Sequence, residues 1–421
     1  MFVGADAELL HHVGHLFVAP PSQHIGVAVS GGSDSMALLD LLDRWTKNRG
    51  LRLSAATVDH GLRVGAAAEA AQVAVFCASR DIAHQTLRWV CHSPGGNMQD
   101  KARTARYGLL AEWAKGQRVE QVALGHTQED QAETFLMRLA REAGVDGLAG
   151  MPAGFKRHGM RWSRPLLDVS RLRLRSYLTG RGIAWSDDPS NEDGSYERIK
   201  ARRVLATLEP LGIDAGMLRR VAFQLEDSSV TLKRLTRDLA RDFVTEDRGD
   251  IVLNWTRVNA QSFEISRRLL IAALKWVSVA IYSPRRDHIQ RVLMMIETTV
   301  RQTLAGCVVD YKDGHVRITR EYNAVKSEVA PTDAVWDKRW VFDGPHASGQ
   351  EIRALGEAGL RLCPNWRETG LPRTSLLASP SLVLGHGLFG VMNSQRRMRR
   401  ELMAFFVRRL LVRVSRSSWQ S

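Results

Sequence analysis

The stretch Val27-Ala28-Val29-Ser30-Gly31-Gly32-Ser33-Asp34-Ser35-Met36-Ala37-Leu38-Leu39 (VAVSGGSDSMALL) decides the fold. An apolar run, a Gly-Ser loop and the helical pattern MALLDLLDRW predict a strand, a tight turn and a helix. Such a turn leaves backbone N–H groups unpaired at a helix N-terminus, where they and the helix dipole attract anions. Gly31 and Gly32 permit the tight, partly left-handed backbone that turns successive amides inward, and Ser30, Ser33 and Ser35 add hydroxyl donors. These residues predict a pyrophosphate cradle. Asp34 repels the same anion unless a divalent cation lies between them, and Mg²⁺ held by one or two carboxylates plus substrate phosphates is such an arrangement. The aspartate therefore argues for a nucleotide with metal. The loop is neither GxxxxGK[ST] nor GxGxxG. A Gly-Ser turn with an Asp or Ser helix cap is the plainer alternative, and the neighbouring segments decide between them.

Outward from the loop, from Ile25 to about Leu167, short apolar runs alternate with helical patterns. IGVAVS precedes MALLDLLDRW, LSAATVD precedes AAAEAAQVAVFCAS, IAHQTLRWV precedes MQDKARTARYGLLAEWA, and VEQVALGH precedes EDQAETFLMRLARE. This alternation predicts an α/β fold, a Rossmann-like parallel sheet with helices on both faces, whose ligand sits beyond the carboxyl ends of the strands. SGGSDS, DHGLR and HTQED each follow a strand. If Thr127 caps a helix, Asp130 and Glu133 share an exposed helical face while Ala132, Leu136 and Leu139 face the sheet. Two such carboxylates above a phosphate loop could hold a cationic substrate. The alternative is a Thr127-x-x-Asp130 capping box with Glu133 solvated. Arg103 and Arg106, three apart on a helix, are placed to neutralise phosphate charge, with solvated helix charge as their alternative.

A region from about Pro210 to Thr299 is rich in Leu, Arg and helix-spaced apolar residues, and CVVDYKDGHVRITRE beyond it reads as a hairpin turning at Asp313-Gly314. From Gln395 onward the chain is strongly basic, which suits either a solvated helix or tail or a surface for RNA or membrane. The 421 residues carry a formal net charge of +14, which favours polyanionic partners, nucleic acid above all. Cys77, Cys91, Cys307 and Cys363 form no CxxC and have no His at zinc-ligand spacing, so neither a disulfide framework nor a structural zinc site is expected. The first residues lack a signal-peptide pattern, and LLASPSLVLGHGLFGVM is broken by Pro380, His386 and glycines before it reaches the ~18 residues a span needs. A cytoplasmic protein without membrane attachment is expected.

V-x-V-S-G-G-S-D-S resembles the signature of the PP-loop ATP pyrophosphatases, which cleave ATP to AMP and pyrophosphate while adenylating a substrate oxygen. Three further segments resemble one family of that group, the bacterial tRNA(Ile)-lysidine synthetases. Thr57-Val58-Asp59-His60-Gly61-Leu62-Arg63 is similar to its VDHGLR segment, and GHTQEDQAET with FLMRLAREAGVDGLAGM to its HHxDDQAET block. RPLL from Arg164, then Asp188-Pro189-Ser190-Asn191, Tyr196, Arg198 and Arg202, is similar to a third, and NMQDKARTARY also matches. The likeness covers roughly residues 25–205 and departs at two positions, Thr127 for the second histidine and Glu129 for the first aspartate. A role needing a His pair is thereby put in question, while His126, Asp130 and Glu133 remain.

The resemblance implies a catalytic domain at 1–208, a helical tRNA-contacting domain at 209–300 and a small C-terminal α+β region with a basic tail at 301–421. It implies ATP and Mg²⁺ as cofactors, with Ser30, Gly31, Gly32, Ser33, Asp34, Ser35, Asp59, His60, Arg103 and Arg106 around the nucleotide and Asp34 on the metal. Asp34, His126, Asp130 and Glu133 become the candidate catalytic residues, and Asp130, Glu133, Arg198 and Arg202 the contacts to lysine or tRNA. The reaction implied joins L-lysine to C2 of the wobble cytidine of tRNA(Ile) bearing a CAU anticodon, through adenylation of the base. Arg219, Arg220, Lys233, Arg234 and Arg237 are candidates for contact with the tRNA body, or charges solvating a bundle. The oligomeric state stays open, with a homodimer among the options. The rival readings are a PP-loop 2-thiolation enzyme, an amidotransferase-type ligase and a non-catalytic RNA-binding protein of the same fold. The first lacks the CxxC cysteines its chemistry uses and the second a glutaminase cysteine motif; retention of Asp34, Asp130 and Glu133 disfavours the third.

Overall fold

The computed structural model describes residues 5–17, 22–59, 61, 65–89, 98–186, 197–298, 301–346, 348–384 and 388–390. His60, Arg63, Cys91, the 188–191 segment, Tyr196 and the basic ending lie outside them. The chain divides into two units, Met1–Ser229 and Val230–Ser421.

In the first unit a helix, α1 (Ala5–Gly14), precedes β1 (His24–Ala28), α2 (Ser33–Lys47), β2 (Arg52–Asp59), α3 (Ala66–Ala78), β3 (Ala83–Arg88), α4 (Met98–Gly116) and β4 (Gln121–Leu124). There follow α5 (Gln128–Leu139), α6 (Val145–Leu148), β5 (Gly154–Arg157), β6 (Met160–Ser163), α7 (Arg171–Gly180), α8 (Glu197–Leu208) and α9 (Ala215–Phe243), within which the division falls. The sheet runs β3-β2-β1-β4-β6-β5, parallel throughout except for the edge strand β5.

β1 is buried along its whole length, as a central strand covered on both faces must be. The period of two sends Ile25 and Val27 into a core with α1, α2 and α7, and Ala28, with Ala56 and Leu124, into a second core against α4. The hairpin β5–β6, unforeseen in the sequence, extends this second core with Met160 and Trp162. Its turn at His158-Gly159 has positive φ at both residues, a geometry whose local signal is carried by glycine alone.

Helix α5 does not lie on the sheet as expected. Ala132 and Phe135 pack with Leu205 of α8 and Leu218 and Ala222 of α9, and Leu139 is half exposed. The apolar stripe of α5 is real, but its partner is another helix, and a 3.6-residue period does not distinguish the two.

The second unit opens with β7 (Val244–Asp247) and β8 (Asp250–Asn254), inside the stretch that reads as helical, and continues with α10 (Trp255–Asn259), α11 (Phe263–Ser278) and α12 (Arg286–Met295). β9 (Arg301–Leu304), β10 (Cys307–Lys312) and β11 (His315–Arg320) complete an antiparallel sheet, β7-β8-β11-β10-β9, over which α11 closes a core. The hairpin at Asp313-Gly314 is present, both residues having the positive φ that its two-residue turn needs. A second sheet, β12-β13-β14-β15, consists of β12 (Val329–Pro331), β13 (Gln350–Ala354), β14 (Pro380–Leu384) and β15 (Leu388–Gly390). Two short helices, α13 (Gly356–Arg361) and α14 (Arg373–Leu377), lie between β13 and β14 in the chain. Trp336 of WDKRWVF anchors its core, and buried Arg339 donates to the carbonyls of Val277 (2.7 Å) and Gly249 (2.6 Å). Among the described residues no helix is long and apolar enough to cross a membrane.

Candidate active site

Strand order reverses on either side of β1, so a crevice opens beyond the carboxyl ends of β1 and β4, where sheets of this kind place ligands. Ala28 is in register with Leu124, which starts the Ser30–Ser33 loop and the Gly125–Thr127 segment side by side. A Cβ on Gly125 would lie 3.1 Å from Asp34 O and Ser35 Cα, so glycine is what lets the two segments touch.

Gly31 has φ +88°, the left-handed conformation that favours glycine, and its carbonyl accepts the Ser186 N–H at 2.9 Å. Ser35 braces the loop, accepting the Ser30 N–H at 3.1 Å and donating to Gly32 O at 3.0 Å. Its hydroxyl is therefore engaged within the turn, while Gly32 caps α2 without a side chain and leaves the first amides of that helix to the crevice. Ser33 donates to Asp34 Oδ1 at 3.1 Å, and Arg171 Nε to Asp34 Oδ2 at 3.0 Å. Burial raises the Asp34 carboxyl against the opposing pull of Arg171. One carboxylate beside an amide-rich turn fits Mg²⁺ as a single arm whose other ligands are substrate phosphates and water. Among the described residues no group of three His, Cys, Asp or Glu could hold a metal unaided.

At the end of β2, Asp59 accepts the Gly61 N–H at 2.9 Å, so it also shapes its own turn. On α4, Arg103 is exposed and lies over the Tyr107 ring at 5.7 Å, whereas Arg106 is partly buried. Burial, with repulsion from Arg103, lowers its affinity for its proton. A desolvated guanidinium is suited to an anionic ligand.

The carboxylates of α5 are not exposed as the sequence suggests: Asp130 is 8% and Glu133 1% exposed. Asp130 accepts the Thr127 N–H at 2.9 Å, the acidic half of a capping box. It also lies 3.7 Å from Arg198 Nη1 and 3.9 Å from Arg171 Nη2. The capping and charged-site readings therefore hold together. Burial opposes its ionisation, but Arg198, the Thr127 N–H and Arg171 hold it below its ordinary value. Glu133 Oε1 accepts from Arg202 Nε at 2.9 Å, while Oε2 is buried without a partner among the described residues. Burial and the adjacent Asp130 charge raise its pKa despite Arg202. Burial likewise drives His126 toward its neutral form, and its Nδ1 has no partner among the described residues. Unpaired buried polar atoms are costly, and two of them beside an ionised carboxylate mark a place for a hydrogen-bond-donating cation.

The structure thus gathers Asp34, His126, Asp130, Glu133, Arg198 and Arg202 near one crevice; His60 lies outside the described residues. Sequence reasoning missed two members. Arg171 touches Asp34, and Glu129 accepts the Arg171 N–H with both oxygens at 2.9 and 3.0 Å. A signal existed: an arginine directly after the Ser170 cap faces the positive end of its helix dipole, where only outside carboxylates make it favourable. Of the candidate tRNA-body residues, Arg219 is buried and pairs with Asp168 at 2.6 Å, so it serves the fold, whereas Arg220 and Arg234 are exposed.

Residues 6–209 match the PP-loop domain family. A tRNA(Ile)-lysidine synthase of Ruegeria pomeroyi is 46% identical over 386 residues, covering 92% of this chain and 92% of that protein. One from Rhodopseudomonas palustris is 42% identical over 303 residues, 68% of this chain and 87% of the relative. Among solved structures, a U34-tRNA thiolase from Methanococcus maripaludis with a [4Fe-4S] cluster aligns at TM-score 0.45 and 16% identity, over 52% of this chain and 79% of its own. Identity at this level across nearly the whole of both sequences means that the chain belongs to the tRNA(Ile)-lysidine synthase family.

Proposed function

We propose that the protein ligates L-lysine to the wobble cytidine of tRNA(Ile) with a CAU anticodon, forming a carbon–nitrogen bond in the cytoplasm at the expense of ATP and with Mg²⁺. The loop amides take the β- and γ-phosphates, and Asp34 with Arg106 flanks the α-phosphate. The 2-oxygen of the cytidine attacks that phosphorus and pyrophosphate leaves. The ε-nitrogen of lysine then attacks C2, and AMP departs with the former base oxygen. Asp34 would hold Mg²⁺, which would neutralise the charge of the leaving pyrophosphate.

The observation that carries this reading is the buried pair Asp130 and Glu133, with Glu133 Oε2 unpaired, next to the carboxylate of a phosphate loop. A lysine ammonium has a pKa of about 10.4 and must lose a proton before it attacks. Asp130, ionised, orients the ammonium; Glu133, whose pKa is raised, receives the proton. A sulfur-delivering activity is disfavoured by the absence of a CxxC pair from the sequence, and burial pushes the thiols of Cys77 and Cys307 up to about 12.

The test is incubation with ATP, Mg²⁺, labelled lysine and a tRNA(Ile) transcript carrying CAU, beside one with the wobble cytidine changed to uridine. Label in the first RNA alone, with AMP and pyrophosphate released, is expected. ATP cleavage without label in RNA would show a different acceptor, and ATP left intact by folded protein would overturn the reading.

A further inference from the structure

Arg171 is shared between two sites. Its Nε donates to Asp34 Oδ2 at 3.0 Å and its Nη2 lies 3.9 Å from Asp130 Oδ1, so one guanidinium serves the carboxylate of the nucleotide loop and that of the amine pocket. Its backbone is fixed, because both oxygens of Glu129 accept its N–H. The three side chains are only 24%, 18% and 12% exposed, so solvent screens this competition weakly. The claims of the two carboxylates on Arg171 are unequal. Asp130 already has the Thr127 N–H and Arg198, whereas among the described residues Asp34 has otherwise only the Ser33 hydroxyl.

A divalent cation arriving with nucleotide phosphates takes Asp34 and removes the reason for the guanidinium to stay there. Asp130 is already supplied, so the released charge is best met by a new anion. The substrate proposed for the pocket carries one, its α-carboxylate.

We infer that Arg171 is the exchangeable counter-ion of Asp34, and that its displacement by the cation and nucleotide readies it to receive the carboxylate of the amino acid. This rests on the proposed function. Arg171 is a positioning residue in the empty enzyme and a binding residue afterwards, and it makes the two sites cooperative. Linkage requires the effect to be reciprocal.

The experiment uses the full chain and two variants, Arg171→Ala and Arg171→Gln, the latter keeping a neutral hydrogen-bonding amide should the former not fold. Mn²⁺ binding with a non-hydrolysable ATP analogue is followed by electron paramagnetic resonance. L-lysine binding is followed by calorimetry with and without that pair. In the wild type, lysine is expected to bind about five-fold or more tightly when Mn²⁺ and analogue are present, the lower end of ordinary coupling. In the variants that enhancement vanishes while Mn²⁺ with analogue binds as tightly as before or more tightly, because Asp34 has lost its competitor. A merely structural role for Arg171 would weaken both ligands. Coupling that persists in the variants, absence of coupling in the wild type, or weakened Mn²⁺ binding in the variants each overturns the inference. A wild type that couples the ligands but places no label in tRNA would overturn the proposed reaction alone. One that lysidylates tRNA without coupling would overturn the inference alone.

Discussion

Asp130 and Glu133 lie three residues apart on one helix and are driven in opposite directions, Asp130 toward ionisation and Glu133 toward holding a proton. Such splitting is what an orienting carboxylate and a proton acceptor need. Glu133→Gln keeps an oxygen for Arg202 but cannot accept a proton. Lysine incorporation is expected to fall about 10²-fold or more while ATP binding persists, checked by labelled-lysine transfer beside equilibrium dialysis of nucleotide. Unchanged transfer would remove Glu133 from the mechanism. The types and spacing of these two residues are visible in GHTQEDQAET, and so is the possibility of a capping box. Their burial is not, because it comes from α8, which brings Arg198 and Arg202 onto them, Arg202 lying 69 residues beyond Glu133. Glu129 and Arg171 were illegible for the same reason: their meeting joins two helix starts 42 residues apart.

At the scale of elements, the site depends on how closely the β1–α2 turn approaches the start of α5. Gly125→Ala would place a methyl 3.1 Å from main-chain atoms of Asp34 and Ser35, which cannot rotate away. The expected cost is about 1–3 kcal/mol of stability, read from denaturant unfolding, together with weakened nucleotide binding. An unchanged midpoint would show that β4 and α2 are not tightly apposed. Glu129→Ala removes a bifurcated, charge-assisted hydrogen bond from the first amide of α7. A loss of about 1.5–3 kcal/mol in the same assay is expected, and a loss near zero would mean that water replaces this cap. The parallel strands and the Asp313-Gly314 hairpin were legible because alternation and turn chemistry are local. The β7–β8 hairpin was not. Its first strand follows directly on a helix of 29 residues, its turn is Arg248-Gly249, and VTEDRGDIVLN pairs through β8 with β11, more than 60 residues away.

For the whole molecule, the net charge of +14 predicts RNA affinity that falls steeply with salt, as a strongly negative slope of log K against log[KCl]. A flat profile would contradict a backbone-dominated contact. A second global test concerns Asp250, where β8, β11 and α14 meet. It accepts from Arg317 at 2.9 Å and Ser375 at 2.5 Å, with Asp247 on the same arginine, yet burial pushes its carboxyl up to about 6 from 3.8. The folded state therefore binds more protons than the unfolded one between those values. This contribution is fully present below pH about 3.8 and is lost as pH rises through about 6, with a span on the order of 3 kcal/mol. Asp250→Asn should flatten that part of the stability–pH curve, and a variant whose curve parallels the wild type would show that Asp250 is ionised throughout.

Read alone, the sequence determined the parallel-sheet unit, the phosphate-binding turn and the chemical types at the site. Strand and helix periods, glycine's access to positive φ and the dipole at a helix start are all properties of neighbouring residues. Only the tertiary structure decided which carboxylates are buried, which arginine each one meets, and that α5 leans on helices rather than on the sheet. Those outcomes depend on desolvation and on charges brought together from distant parts of the chain, and neither is a function of local sequence.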